Sequence, residues 1–139
     1  MKKFVILLFL GGAIVLFSYL TGYYFGLESR KVLLISSTLH FLGGIYAFFF
    51  VFSVFDITKK YHNTITISPM KALIFISGAL ALGVLWEWYE LFFIYWDKVS
   101  ILSKQSAMIY VDTMGDLALD LAGALSASFY YLARVLWKK

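Results

Sequence analysis

Cysteine, proline and charge are all scarce in this sequence of 139 residues. Cysteine is absent, which excludes disulfide scaffolds, cysteine-ligated zinc sites and cysteine nucleophiles. The single proline, Pro69, excludes collagen-like and polyproline-rich chains. Charged residues make up 14% of the chain, against about 25% in soluble domains. The 12 basic residues are separated by apolar blocks and form no basic face, so we expect no nucleic-acid partner.

Hydrophobic residues, in contrast, make up 62% of the chain. A small water-soluble fold exposes much of its surface and could not bury this much apolar area. Four apolar blocks reach the roughly 20 residues that a helix needs to cross the hydrocarbon core of a bilayer. They cover approximately 4–26, 32–55, 70–96 and 110–137. The sequence therefore predicts an all-α polytopic membrane protein, a compact bundle of four transmembrane helices that forms a single membrane domain over 1–139.

Basic residues are distributed unequally between the two sides of these spans. Eight lie on the side of both termini and four on the other side: Lys2, Lys3, Lys59, Lys60, Lys71, Arg134, Lys138 and Lys139 against Arg30, Lys31, Lys98 and Lys104. The positive-inside bias predicts cytoplasmic termini in the inner membrane of a bacterial or archaeal cell. The first block resembles a secretory signal but has no A-x-A cleavage site, so we expect an uncleaved first helix.

Ionisable side chains lie inside the predicted spans, where each costs at least about 2.5 to 3.5 kcal/mol on insertion scales and indicates a functional site. They are His40 in the second span, Glu87 and Glu90 in the third, and Asp112, Asp116 and Asp120 at or inside the fourth. At 1.5 Å per residue, His40 and Glu87 both lie about 12 Å below the outer boundary. The three aspartates share one stripe of roughly 80° on their helix. We therefore expect these groups to meet in a pocket that opens outward.

Carboxylates gathered at low dielectric repel one another, and either shared protons or a bound divalent cation would compensate their charge. One histidine with several carboxylates suits Mg²⁺, Mn²⁺, Zn²⁺ or Fe²⁺, and the sequence does not select among them. The candidate metal ligands are His40, Glu87, Asp116 and Asp120, and Glu90 and Asp112 are additional candidates. No Walker loop is present and only one histidine lies in a span, so we expect no nucleotide and no haem.

Structural roles would explain some of these residues without any ligand. Asp112 could cap the fourth helix, and Glu90 could extend to the membrane interface. Glu87 could pair with His40 only to hold two helices in register. The pair Gly11 and Gly12 is predicted to serve helix packing.

Three segments resemble the YjdF-like family of bacterial inner-membrane proteins and, more loosely, the VanZ-like group. They are 40–44 (HFLGG), 85–90 (LWEWYE) and 110–117 (YVDTMGDL), which Asp120 follows. The resemblance covers roughly 32–125. It implies a shared membrane architecture and a shared polar core, without a reaction. That implied core consists of His40, Glu87, Asp112, Asp116 and Asp120.

The leading hypothesis is a small inner-membrane protein whose outward-facing cluster binds a divalent cation. If the protein is an enzyme that acts on a lipid or cell-envelope headgroup, the metal ion would also need an open coordination position for water. The alternatives are a proton- or cation-coupled transporter and a structural subunit of a larger membrane complex. Because four short spans leave little room for alternating access, a transporter would need a homo-oligomer or a larger partner.

Overall fold

The computed structural model describes residues 2–25, 30–58, 69–93 and 104–137. These residues form four helices, α1 (Lys2–Phe25), α2 (Arg30–Thr58), α3 (Pro69–Phe93) and α4 (Lys104–Leu136). The helices pack as a compact bundle, which confirms the predicted all-α class. The ends of the first and third predicted spans, at 26 and 94–96, lie outside the described residues.

Three of the four helices are long and apolar enough to cross a membrane. Their apolar windows are Phe4–Thr21, Leu34–Asp56 and Met70–Phe92, with mean hydropathies of 2.4, 1.8 and 1.6. α4 is the longest helix, at 33 residues, but it does not reach the same apolar character. The structure therefore supports a multi-pass membrane protein, and the fourth span remains a prediction.

α2 is the central helix of the bundle. It packs against α1, α3 and α4, and α3 also packs against α4. Phe48 of α2 is fully buried and meets the ring of Phe75 of α3 edge to face. The small side chains Ala124 and Ala127 of α4 complete this core. α1 lies outside it, since its main contacts are with α2.

α2 and α4 approach so closely that their backbones touch. A Cβ atom on Gly44 would collide with the backbone carbonyl of Asp120, and one on Gly123 would collide with the backbone carbonyl of Phe41. Small residues permit such an approach between membrane helices. The contact brings His40, one turn before Gly44, to the level of Asp120.

α4 begins before the predicted fourth span. The described helix starts at Lys104, eight residues before Asp112. The hypothesis that Asp112 is the N-terminal cap of this helix is therefore wrong, because a cap residue lies at the helix boundary. The early start places Asp112 inside the helix, where it shares a stripe with Asp116 and Asp120.

Candidate functional site

His40 is the centre of a buried polar cluster between α2, α3 and α4. Its Nδ1 lies 3.8 Å from Oε1 of Glu87 and 3.5 Å from Oδ2 of Asp120. Its Nε2 lies 3.4 Å from Oδ2 of Asp116. Both nitrogens of one imidazole thus face carboxylates, which come from two different neighbouring helices.

The four residues are deeply buried although all of them can carry charge. His40 and Asp116 are 5% exposed, Asp120 is 6% exposed and Glu87 is 7% exposed. Charged side chains are almost never this buried unless they are paired or coordinate a metal. The cluster holds one histidine and several carboxylates. The single positive charge of a protonated His40 could not balance the negative charge of these carboxylates when they are ionised.

Glycines create the space for Asp120 at the cluster. A Cβ atom on Gly43 would lie 3.6 Å from Oδ1 of Asp120, and one on Gly83 would lie 2.5 Å from Oδ2. The Asp120 carboxylate therefore fills the volume that side chains on α2 and α3 would otherwise occupy. This placement holds the carboxylate against the His40 ring.

Glu87 has an oxygen without a partner. Its Oε1 is buried and has no hydrogen-bond partner among the described residues. The 3.8 Å to Nδ1 of His40 is too long for a hydrogen bond. Leaving a buried polar atom unsatisfied costs about 1 to 3 kcal/mol, and more for a charged group. Such an atom in a native fold needs an explanation, for example a bound water or ion or a catalytic role.

Glu90 lies beside Glu87 and is held in place by a tryptophan. Nε1 of Trp86 donates a hydrogen bond of 2.9 Å to Oε1 of Glu90. His40, Glu87 and Glu90 can each offer one ligand atom, and these three atoms all lie within 4.8 Å of one another. The described residues thus contain a group with the composition and spacing of a metal site.

Thr113 on α4 is close to Glu87 and interacts with its side chain. Polar neighbours of this kind can fix the direction of a ligand and tune its affinity for a metal. Sequence reasoning did not single out Trp86 or Thr113. For Trp86, the available signal was its four-residue spacing from Glu90 on one helix face. The position of Thr113 depends on how α4 packs on α3.

The structure brings most of the predicted site residues together. His40, Glu87, Asp116 and Asp120 form the buried cluster, and Glu90 joins it as a half-buried member. Asp112 lies one turn before Asp116 on α4, and its side chain is exposed. Which of these residues bind a metal stays a prediction, because the contacts show their proximity only.

The glycine pair of α1 has divided roles. A Cβ atom on Gly11 would collide with the Tyr46 hydroxyl, so Gly11 serves close packing against α2, as predicted. A Cβ atom on Gly12 would meet nothing within 4 Å. Both glycines line a cavity between α1, α2 and α3, and at Gly12 lining this cavity is the role that remains.

Comparison with known proteins gives a family and no reaction. No curated protein and no solved structure matches the chain. The model of a family described as a predicted membrane protein, DUF2238, matches residues 2–137. The expectation of a membrane-protein family is therefore confirmed, whereas the YjdF-like and VanZ-like names stay predictions. Because the match extends over nearly the whole sequence, this chain belongs to the predicted membrane protein family DUF2238.

Proposed function

We propose that the protein binds a divalent cation in the buried cluster, with His40, Glu87 and Glu90 as its ligands. The observation that carries the proposal is the unpartnered, buried Oε1 of Glu87. Asp116 and Asp120 contact the His40 ring and are candidates for further ligands. A cation among these oxygens would satisfy Glu87 and offset the negative charge that the carboxylates share.

A protonated histidine does not account for Glu87 as well as a cation does. An imidazolium has two N–H donors. One would point from Nε2 toward Asp116 and the other from Nδ1 toward Asp120, at 3.4 and 3.5 Å. Both donors are then engaged, and Glu87 Oε1 at 3.8 Å remains without one. Ion pairing inside the cluster therefore accounts for the two aspartates and leaves the glutamate unexplained.

The donor set suits a small divalent ion that binds nitrogen and oxygen. One imidazole with carboxylates is compatible with Zn²⁺, Mn²⁺ and Fe²⁺, and the excess of oxygen also admits Mg²⁺. With metal–ligand bonds of about 2.2 Å, two ligand atoms on one ion are at most about 4.4 Å apart. The three candidate ligand atoms lie within 4.8 Å of one another, and Nδ1 of His40 and Oε1 of Glu87, at 3.8 Å, already meet this limit.

The same site could act on a headgroup at the membrane surface. Three protein ligands would leave a coordination position for water or for an oxygen of the headgroup, as in catalytic metal sites. The excess of basic residues on the side of both termini supports cytoplasmic termini in an inner membrane. In that orientation the cluster lies in the outer half of the bilayer and faces the cell envelope.

Titration of the purified protein with Mn²⁺, followed by electron paramagnetic resonance of the free ion, tests the proposal. After treatment with a chelator, we expect one saturable site per chain. Glu87→Gln keeps the side-chain volume and removes the negative charge, so it should weaken binding at least about tenfold, or 1.4 kcal/mol.

Asp56→Asn is the matched control for that titration. Asp56 lies on the same helix as His40 but 16 residues away, or about 24 Å along the axis. The control should bind Mn²⁺ like the parent protein. Equal affinities of Glu87→Gln and Asp56→Asn, or no saturable binding of Mn²⁺, Zn²⁺ or Mg²⁺ by the parent, would contradict the proposal.

A proton-coupled transporter or a subunit of one is the second candidate. The contacts that favour it run from Asp116 through the two ring nitrogens of His40 to Asp120, because a histidine between carboxylates can relay protons. Asp116→Asn would interrupt this path. If Asp116→Asn abolished proton flux in proteoliposomes while the parent protein bound no cation, the second candidate would replace the first.

A further inference from the structure

A narrow apolar cavity of about 370 Å³ lies between α1, α2 and α3. Apolar side chains form most of its wall, among them Leu8, Val15, Leu39, Phe50, Ala79 and Leu82. His40 and Asp120 form its polar end. The cavity is thus continuous with the proposed cation site, although most of it extends away from that site.

The dimensions of the cavity indicate what can occupy it. Its lining on α2 extends from Leu39 to Phe50, which is about 16 Å along the helix axis. The whole empty space between these walls, about 1030 Å³ with its open side included, corresponds over this length to a cross-section of about 64 Å². An α-helix with its side chains needs about 80 to 110 Å². The cavity is therefore narrower than a helix of a partner protein, and an extended chain fits it.

The surroundings of the cavity indicate the chemistry of that chain. The α1, α2 and α3 residues that line the cavity belong to helices apolar enough to span a membrane. Water does not fill a cavity with an apolar wall stably. Leu8 is 50% exposed and Val15 is 41% exposed, although both line the cavity. The wall on α1 is therefore accessible from the side where lipid surrounds the bundle.

We propose that one hydrocarbon chain of a phospholipid occupies this cavity, with the polar head of that lipid at the His40 and Asp120 end. The apolar wall contacts the chain, and the polar end receives the head. Phosphate oxygens are good ligands for hard divalent ions, so the head would meet the bound cation. The phospholipid is then the ligand of the cation site, and this second part rests on the proposed function.

Gly12 offers a way to fill the cavity without disturbing the helices. It lines the cavity, and an added Cβ atom would meet nothing within 4 Å. Gly12→Phe should therefore occupy the space of the hydrocarbon chain, and Gly12→Leu is a smaller filling variant. Gly12→Ala controls for the change in backbone freedom. Gly115→Phe is a matched control, since Gly115 is exposed on α4 and an added Cβ atom there also meets nothing within 4 Å.

The test is photolabelling in vesicles of phosphatidylethanolamine that contain a minor fraction of phosphatidylcholine with a diazirine in one acyl chain. Mass spectrometry then maps the labelled residues. In the parent protein we expect label on the less exposed wall residues Leu39, Ala47 and Leu82. Gly12→Phe and Gly12→Leu should lower that label at least about fivefold, whereas Gly12→Ala and Gly115→Phe should retain it. Label on Phe129, which is 70% exposed, is the internal reference for ordinary contact with the bilayer.

Binding of Mn²⁺ is measured on the same samples, so that the two proposals fail separately. Loss of cavity label in both filling variants, with Mn²⁺ binding retained, supports the lipid proposal. Cavity label that stays at the parent level in a folded filling variant overturns it, whatever the cation measurement gives. If the filling variants lose the cavity label but the parent protein binds no cation, the proposed function is wrong and the proposal of a lipid chain in the cavity stands.

Discussion

The two sides of α2 are packed in opposite ways. Toward α4, glycines bring the two backbones into contact at Gly44 and Gly123. Toward α1, aromatic side chains fill the interface: the ring of Phe50 lies 5.6 Å from that of Phe4, and the Tyr46 hydroxyl reaches the α1 backbone at Leu7 and Gly11. The first interface leaves no free volume at the glycines, whereas the second adjoins the apolar cavity.

This difference shows how one helix can support a rigid polar site and a space for an apolar ligand. The contact of α2 with α4 fixes His40 against Asp116 and Asp120, and a binding site needs this kind of rigid support. α1 contributes little to the core, since only 6% of its apolar window is buried, against 28% for α3. Changes on the α4 side should therefore affect folding and cation binding, and changes on the α1 side should affect the cavity.

The largest effect is expected from Gly44→Ala. The added methyl group would collide with the backbone carbonyl of Asp120, which cannot move without displacing α4. Overpacking of this kind costs typically about 1 to 3 kcal/mol, and we expect the upper end or more because backbone must shift. Thermal unfolding in detergent, followed by tryptophan fluorescence, measures the loss. Gly12→Ala has open space at its Cβ atom and should be as stable as the parent; equal stability of the two variants would contradict the close packing.

A bound cation at the site between α2, α3 and α4 should raise the free energy of unfolding of the protein. At a concentration of one hundred times its dissociation constant, a ligand that binds only the folded state adds about 2.7 kcal/mol. We expect Mn²⁺ to raise the unfolding temperature of the parent protein and to have little effect on Glu87→Gln. A rise of the same size in both proteins would show that Mn²⁺ acts elsewhere.

Gly83→Ala separates the geometry of the site from the stability of the fold. The added methyl group would meet Oδ2 of Asp120 at 2.5 Å, and this atom is the end of a side chain that can rotate away. Stability should change by less than about 1 kcal/mol, because no backbone has to shift. The affinity for Mn²⁺ should fall several-fold, since the Asp120 carboxylate leaves its position 3.5 Å from Nδ1 of His40. A loss of stability comparable to that of Gly44→Ala would show that the Asp120 side chain cannot rotate away from the added methyl group.

The smallest effect is expected from Tyr46→Phe on the α1 side. The hydroxyl of Tyr46 donates a hydrogen bond of 3.0 Å to the backbone carbonyl of Leu7. Its loss should cost about 0.5 to 1.5 kcal/mol, which unfolding in detergent can detect. Binding of Mn²⁺ should not change. A marked loss of cation affinity would mean that the α1 side and the site are coupled.

Helix positions and the meeting of the polar groups could be predicted from the sequence. The helical rise predicts that His40 and Glu87 lie at one depth, and the four-residue spacing of Asp116 and Asp120 predicts one face. Their contacts with His40 agree with both. These predictions succeed because a membrane span has few possible depths and faces for a polar side chain.

The start of α4 and the detailed contacts of the site could not be predicted in the same way. Only residues 104–106 at the start of α4 are polar, so hydropathy does not fix where this helix begins, and the sequence leaves open whether Asp112 caps it. The grouping of Glu90 with His40 and Glu87 depends on side-chain directions that spacing does not determine. The cavity arises from the packing of α1 against α2 and has no signature in the sequence.

Elemental analysis of the protein purified from its native membranes, without added metal or chelator, is the most direct test of the central claim. We expect about one divalent cation per chain in the parent protein and a strong reduction in Glu87→Ala and Asp116→Ala, with Gly12→Ala as a folded control that keeps its cation. A parent protein with no stoichiometric cation, or cation content that is unchanged in Glu87→Ala, would show that the cluster is not a cation site.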